Sequence, residues 1–458
     1  MRTSSSPLTK WAQSSPSLLA LQTPEQEYTW AQLADKVYLV AASLEEQGLV
    51  PGQVLTCEGK NSVELLFMYL ASLELGVTCA FTMPQTENEL RQKLSTLYAN
   101  QSDVKLWFTQ EPSVTPLSQN IVYAEAQNQR ELGCFHDDNL ASIVFTSGST
   151  GQPKAVAHTS SQHLASASGL LEKFKFNQGD TWLLSLPMYH VSGLAIVYRW
   201  LHSGATLKVG AGDLSHDIQG VTHASLVATQ LRRLLDNKTP LSLTHVLLGG
   251  SHVPLSLSQQ AATQGIETWL GYGMTEAAST VTAKQIDESY SAGRVLPNRK
   301  VQLRDQRIFI GGATLASGYF QQGEITPIVE DGWFDSKDLG EWIGDELKII
   351  GRADNQFISG GENIHCEEIE AVLNQLNDVV QAMVVPIEDA EFGHRPVAVL
   401  QANRMPVRSI IEQHLQFKLA KFKWPVNYYL MPKSLLEEGI KVSRAKVKEW
   451  LLKQLDEK

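Results

Sequence analysis

The sequence predicts an α/β protein: a large amino-terminal domain of β-sheets covered by helices, then a small α+β domain. Three observations carry this. Helix-period and strand-like apolar segments alternate through the first hundred residues, later short apolar runs end in glycine, and the texture changes after about Asp345. With 458 residues and 43% hydrophobic content, the chain has apolar material for two or more domains of roughly 100–200 residues.

Taken in order, Leu33, Val37, Val40 and Leu44 line one face of a helix that Gly48 can end. A strand-like run at 54–57 follows. Leu66, Leu70 and Leu73 mark a second helix, closed by Gly76 before a run at 77–81. Such alternation favours a mainly parallel sheet covered by helices. The runs at 141–145 and 246–248 end at Ser147-Gly148 and Gly249-Gly250, and open α/β sheets bind ligands in loops at strand ends. Beyond Asp345, segments 346–350 and 356–359 are expected to pair as a hairpin. A helix carrying Ile369, Val372, Leu373 and Leu376 comes next, then strands at 382–386 and 396–400. The expected domains are 1–352 and 353–458. The terminal helix carries Val447, Trp450, Leu451 and Leu455 on one face.

Lysine and arginine number 38 against 49 aspartates and glutamates, a formal charge of −11, which argues against nucleic acid as the main partner. Residues 401–458 are locally basic. Cys57, Cys79, Cys134 and Cys366 stand far apart with no CxxC pair, so neither a zinc site nor a disulfide framework is expected. The amino terminus lacks an apolar signal core, and no run reaches the ~18 apolar residues of a membrane span. The expectation is a cytoplasmic protein with small-molecule partners and no integral membrane segment; a homo-oligomer is left open.

Chemistry concentrates in Thr146-Ser-Gly-Ser-Thr-Gly-Gln-Pro-Lys154, where hydroxyls, glycines and a lysine follow a strand-like run. Such a loop can wrap polyphosphate; an ordinary polar turn is the alternative. It is not a Walker loop: counting from Gly148, the required glycine is Pro153 and the residue after Lys154 is Ala155. Five further segments follow in order: Pro187-Met-Tyr-His190, Gly271-Tyr-Gly-Met-Thr-Glu276, Asp331-Gly-Trp-Phe-Asp-Ser-Lys-Asp338, Gly351-Arg-Ala-Asp354 and Lys441-Val-Ser-Arg444. Together the six resemble the signature of the adenylate-forming superfamily, with Ser336 where threonine is usual.

That resemblance implies ATP, Mg²⁺ and coenzyme A. It assigns Thr146, Ser147, Gly148, Ser149, Thr150, Gly151 and Lys154 to the ATP phosphates, and Gly271, Tyr272 and Gly273 to the nucleotide. It puts Thr275 near the α-phosphate, Glu276 on Mg²⁺, and Asp338 with Arg352 on the ribose. Lys441 would bridge the reacting carboxylate and the α-phosphate, with His190 and Thr275 also catalytic. Asp354 would be the hinge, and Gly360 and Gly361 would line the coenzyme A channel. The bland readings are a helix-start acid for Glu276, a turn residue for Asp338, a core histidine for His190 and one solvated lysine among many for Lys441. The reaction logic agrees. A carboxylate is a poor acceptor for a thiol, whereas an acyl-adenylate has AMP as leaving group, and its formation needs donors and cations around phosphate.

The segment from His190 to Ala205 adds Arg199 to an apolar stretch, a costly placement unless the guanidinium meets an anion. This segment, with 391–399, 419–425 and 439–450, is similar to the 2-succinylbenzoate–CoA ligases, although Tyr198 stands where tryptophan is usual. Their substrate is an aromatic dicarboxylate. The resemblance puts His190, Ser192, Arg199, Gly249, Gly250, Ser251 and Met274 at the acyl pocket. The other readings are another aryl- or short-acyl-CoA ligase, a catalytically silent nucleotide-binding homologue and a luciferase-like oxygenase; for Arg199, a solvent-facing or acid-paired role.

Overall fold

A computed structural model describes residues 5–109, 119–128, 135–147, 153–249, 253–359, 362–389, 391–416, 418–436 and 442–456. Two large mixed sheets, of nine and eight strands, form the body of the chain up to Thr326. The expected parallel sheet is thus two sheets with parallel centres. In the nine-stranded sheet, Thr181–Leu183, His223–Leu226, His245–Gly249 and Glu267–Met274 lie side by side in parallel, and Ser279–Gln285 pairs antiparallel with the last of these. In the eight-stranded sheet, Val54–Glu58, Thr78–Thr82 and Leu140–Ser147 are parallel, and Pro153–Thr159 turns back on the last.

The predicted helices are present, for reasons the sequence supplies. Trp30–Glu46 begins with a capping box of Thr29 and Gln32 and buries Leu33, Val37, Val40 and Leu44. Val63–Leu75 is capped by Ser62 and ends at Gly76 in the left-handed region, φ 74°. Every residue from Leu65 to Leu75 is buried, as expected of a helix apolar all round. Its side chains share one core with Leu55 and Phe81 of one large sheet and Trp182 and Leu207 of the other.

Two expectations fail. The helix expected to carry Leu376 ends at Leu373, and Leu376 packs against the same core from beyond the helix end. The 346–350 segment does not pair with 356–359: Glu346–Arg352 pairs with Trp333–Ile343 in a four-stranded antiparallel sheet, whereas Gln356–Ser359 pairs with Glu362–His365 in a separate five-stranded one. The tight turn lies one strand earlier, at Gly344 with φ 62°, while the chain between the two segments leaves one sheet for the next. The five-stranded sheet, with Cys366–Leu373, Arg408–Leu415 and Arg444–Asp456, has cores built only from residues beyond 356. Among the described residues, no helix is long and apolar enough to cross a membrane.

Candidate active site

The phosphate-loop candidate sits on a hairpin whose register pairs Thr146 with Lys154 and Ser147 with Pro153. Gly148, Ser149, Thr150 and Gly151 lie outside the described residues, as do Gly250, Ser251, Gly360, Gly361 and Lys441. Lys154 Nζ stands 4.7 Å from the centre of the Tyr319 ring. The Tyr319 hydroxyl donates to Glu276 Oε1 at 3.2 Å. The hairpin lysine and the Glu276 carboxylate are thereby gathered around one ring. Glu276 makes no ion pair with another described residue, so a hard, half-exposed carboxylate is left for a hard cation, and this donor fits Mg²⁺.

Gly271, Tyr272, Gly273 and Met274 end the strand Glu267–Met274, and Thr275–Ala277 is a single 3-10 turn. Gly273 is a steric requirement: a Cβ there would fall 1.8 Å from the Ser279 carbonyl oxygen. The Tyr272 hydroxyl donates to Asp338 Oδ2 at 2.6 Å; burial first, and then the Asp338 charge, keep that phenol protonated. Ser336 fixes the approach to Asp338, donating to the Ile308 carbonyl at 2.7 Å and accepting the Asp338 N–H at 3.0 Å. Arg352 reaches Asp338 at 3.4 Å and grips Asp354 with two bonds of 2.9 and 3.1 Å. The residues expected at the ribose and at the hinge therefore form one polar string.

The acyl-pocket candidates lie on and before the helix Val191–Ser203. His190 is its N-cap, with its ring 4.9 Å from that of Tyr189; it is not a core histidine. Ser192 and Arg199, seven residues apart, share a helix face, whereas nine residues put His190 opposite Arg199. Arg199 is 2% exposed, so the solvent-facing reading fails. Its Nη atoms reach Ser225 Oγ at 3.4 Å and Thr280 Oγ1 at 3.3 Å, and its guanidinium lies 5.2 Å from the Trp182 ring centre. Nε has no partner, and no acid among the described residues pairs with it. Burial, then the neighbouring Arg299, push its pKa down to about 9. Gly249 and Gly271 sit opposite one another on adjacent strands nearby, where Gly271 abuts Thr280.

Arg444 is bound into the carboxy-terminal unit. It pairs with Glu367 at 3.0 Å and with Glu370, which fixes the start of the helix Arg444–Asp456 three residues after Lys441. Several residues escaped the sequence reading: Tyr319, Ser225, Thr280, Trp182 and Arg299. Each lies in a strand outside the six sequence motifs, and only tertiary pairing brings it to the site.

An AMP-binding enzyme family model matches residues 8–320. A curated 2-succinylbenzoate–CoA ligase of Haemophilus influenzae is 41% identical, with 95% of this chain and 96% of that protein covered. A structure of an Escherichia coli MenE variant with bound OSB-AMS superposes with a TM-score of 0.91 at 37% identity, covering 99% of this chain and 100% of that one. A Bacillus subtilis o-succinylbenzoate coenzyme A synthetase, in complex with ATP and magnesium ion, gives 0.81 at 27% identity, covering 93% and 95%.

Proposed function

The chain belongs to the AMP-binding enzyme family, and from that premise we infer that it is an acid–thiol ligase joining 2-succinylbenzoate to coenzyme A. ATP and Mg²⁺ are required, AMP and pyrophosphate are released, and the product serves menaquinone formation. The observation within the chain that carries the choice of acid is Arg199: a buried guanidinium with an unpartnered Nε and no carboxylate among the described residues. A dicarboxylate supplies what is missing. One carboxylate is activated while the other pairs with the cation, and a mono-acid leaves the charge uncompensated.

In the first half-reaction, a carboxylate oxygen of the succinyl arm attacks the α-phosphorus of ATP. The bond from that phosphorus to the β-bridging oxygen breaks, and pyrophosphate leaves. Lys154 and the 146–151 loop bind the departing phosphates, Thr275 donates to the α-phosphate, and Asp338 with Arg352 holds the ribose. Mg²⁺, bound through Glu276, supplies neutralisation of phosphate charge. Lys441 bridges the attacking carboxylate and the α-phosphate, where a point charge stabilises the developing negative charge. In the second half-reaction the coenzyme A thiol, its proton lost to solvent, attacks the acyl carbon and AMP leaves.

Residues 353–458 form the moving unit and Asp354 the hinge. This reading is supported by the separate cores beyond 356 and by the short Arg352–Asp354 connection between sheets. We place the enzyme in the cytoplasm, on the strength of its four cysteines, which stand far apart along the sequence with no CxxC pair. Pyrophosphate release measured against a panel of aromatic and aliphatic acids, with and without coenzyme A, tests the function. 2-Succinylbenzoate should be preferred, with thioester formed only when the thiol is present. Equal turnover of mono-acids would move the assignment to another aryl- or short-acyl-CoA ligase.

A further inference from the structure

The turn that carries Thr275 and Glu276 is followed by two residues in the left-handed region, Ala278 at φ 50° and Ser279 at φ 89°. Neither is glycine. Strain of this kind persists only where the surroundings over-determine it. What holds it here is a second buried arginine.

Arg299 is 6% exposed and, like Arg199, forms no ion pair with a described acid. Unlike Arg199 it is fully engaged. Its Nε donates to the Thr280 carbonyl at 2.9 Å and Nη1 to the Pro297 carbonyl at 2.8 Å. Nη2 donates at 2.8 Å to both the carbonyl and the hydroxyl oxygen of Ser166. The Ser166 hydroxyl in turn donates to the Ala278 carbonyl at 2.5 Å. A continuous string thus runs from guanidinium to hydroxyl to the carbonyl of a strained residue, with Thr280 gripped on its far side.

The helix Ser160–Leu171 is built to receive this group. Gly169 stands in its interior, where glycine weakens a helix by about 1 kcal/mol relative to alanine. A Cβ at Gly169 would fall 2.2 Å from the Pro297 carbonyl oxygen and 2.3 Å from Arg299 Nη1. The helix gives up propensity to seat the guanidinium.

We propose that Arg299 and Ser166 are positioning residues for adenylate formation: they lock the 278–280 backbone and thereby aim Thr275 and Glu276 at the α-phosphate and its magnesium ion. The inference rests on the nucleotide-site reading above and on no particular acid. Calorimetric titration of ATP, with and without Mg²⁺, into the parent and Ser166→Ala therefore reads it directly, even should 2-succinylbenzoate fail as substrate. The Mg²⁺-dependent gain in ATP affinity should fall about tenfold in Ser166→Ala, and pyrophosphate exchange should fall about ten- to a hundredfold, the scale of a sub-ångström to 1 Å misplacement. Thioester formation from preformed acyl-adenylate should change less than about threefold. Arg299→Lys, which keeps charge but loses the planar fork, should move the same quantities in the same direction. If it does not fold, Ser166→Ala alone decides. Parental Mg²⁺ dependence in Ser166→Ala, or equal losses in both half-reactions, would overturn the proposal and leave the pair as ordinary packing.

Discussion

The two ends of the central parallel strands of the nine-stranded sheet both bury polar groups, and they do so in opposite ways. At the amino-terminal end, His223 is satisfied at both nitrogens: Nε2 bonds the Lys175 carbonyl at 2.7 Å and Nδ1 the Thr222 hydroxyl at 2.7 Å. Its ring stacks on His245 at 4.9 Å among Phe174, Phe176 and Trp182. Toward the other end, Arg199 has two long bonds and an unpartnered Nε beside the glycines Gly249 and Gly271. Trp182 stands between them and touches both. A buried polar group completed by the protein holds a fold together, whereas one left incomplete is where a ligand does the completing. Changes at the first end should cost stability without catalysis, and changes at the second should do the reverse.

The largest separation is expected for Lys441, which acts at the ligand end from outside the sheet. Lys441→Ala should lower adenylate formation by about a thousandfold, the upper range for removing one group that stabilises developing charge. Its thermal midpoint and its thioester formation from preformed acyl-adenylate should be little changed. Equal damage to both half-reactions in single-turnover assays would mean that the lysine is structural. Next in size is Arg199→Gln, in which kcat/KM for 2-succinylbenzoate should fall by about a hundredfold or more, as for a broken buried pair. A mono-acid analogue lacking the ring carboxylate should be little affected. A parallel fall for both acids would remove Arg199 from the pocket and blur the contrast between the two ends.

Legibility followed the same divide. The helices Trp30–Glu46 and Val63–Leu75 were readable because every signal is local: apolar period, cap and closing glycine. The site motifs were readable because each packs several polar groups and glycines into a few residues. The string of Arg299, Ser166 and Ala278 was not, since its members lie in three elements joined only by the fold. Nor was the pairing of 346–350, because two strand-like segments in sequence carry no mark of a change of sheet between them. Tyr319 shows the same limit: a strand aromatic looks like core until Glu276 is found at its hydroxyl.

A smaller effect is expected at the hinge. Asp354→Pro fixes one backbone angle and removes the two-bond contact with Arg352. One half-reaction should slow by about tenfold, about 1.4 kcal/mol on that barrier, while the other changes less. The two rates measured separately, with unchanged thermal midpoint, would put the hinge with the ligand end in the comparison. Unchanged rates in both would move the hinge elsewhere.

The mildest change belongs to the satisfied end. Burial, first among several causes, holds the His223 pKa down to about 4 from 6.5; the Lys175 carbonyl and Asp180 oppose it, while His245 adds to it. Between those values the unfolded chain takes up a proton that the native site refuses, so stability must fall as the pH drops from 6.5 toward 4. The slope is about 1.4 kcal/mol per pH unit for one histidine, or roughly 3 kcal/mol over the window. His158, held down to about 4 by burial, adds in the same sense. Glu74 works against both: burial raises its pKa to about 7 from 4.5, so the native state holds its proton more tightly and gains stability as the pH falls through that range. The parent's net slope therefore mixes opposing groups, and a difference measurement isolates one. Gln at position 223 can still donate to the Lys175 carbonyl but cannot titrate. Urea midpoints of the parent and His223→Gln at pH 7, 6 and 5 should converge as the pH falls, with the gap changing by about 1.4 kcal/mol per unit at most. Turnover at pH 7 should match the parent. A constant gap would mean that the native site takes up a proton as readily as the unfolded chain, and a loss of turnover would join the two ends of the sheet that the structure keeps apart.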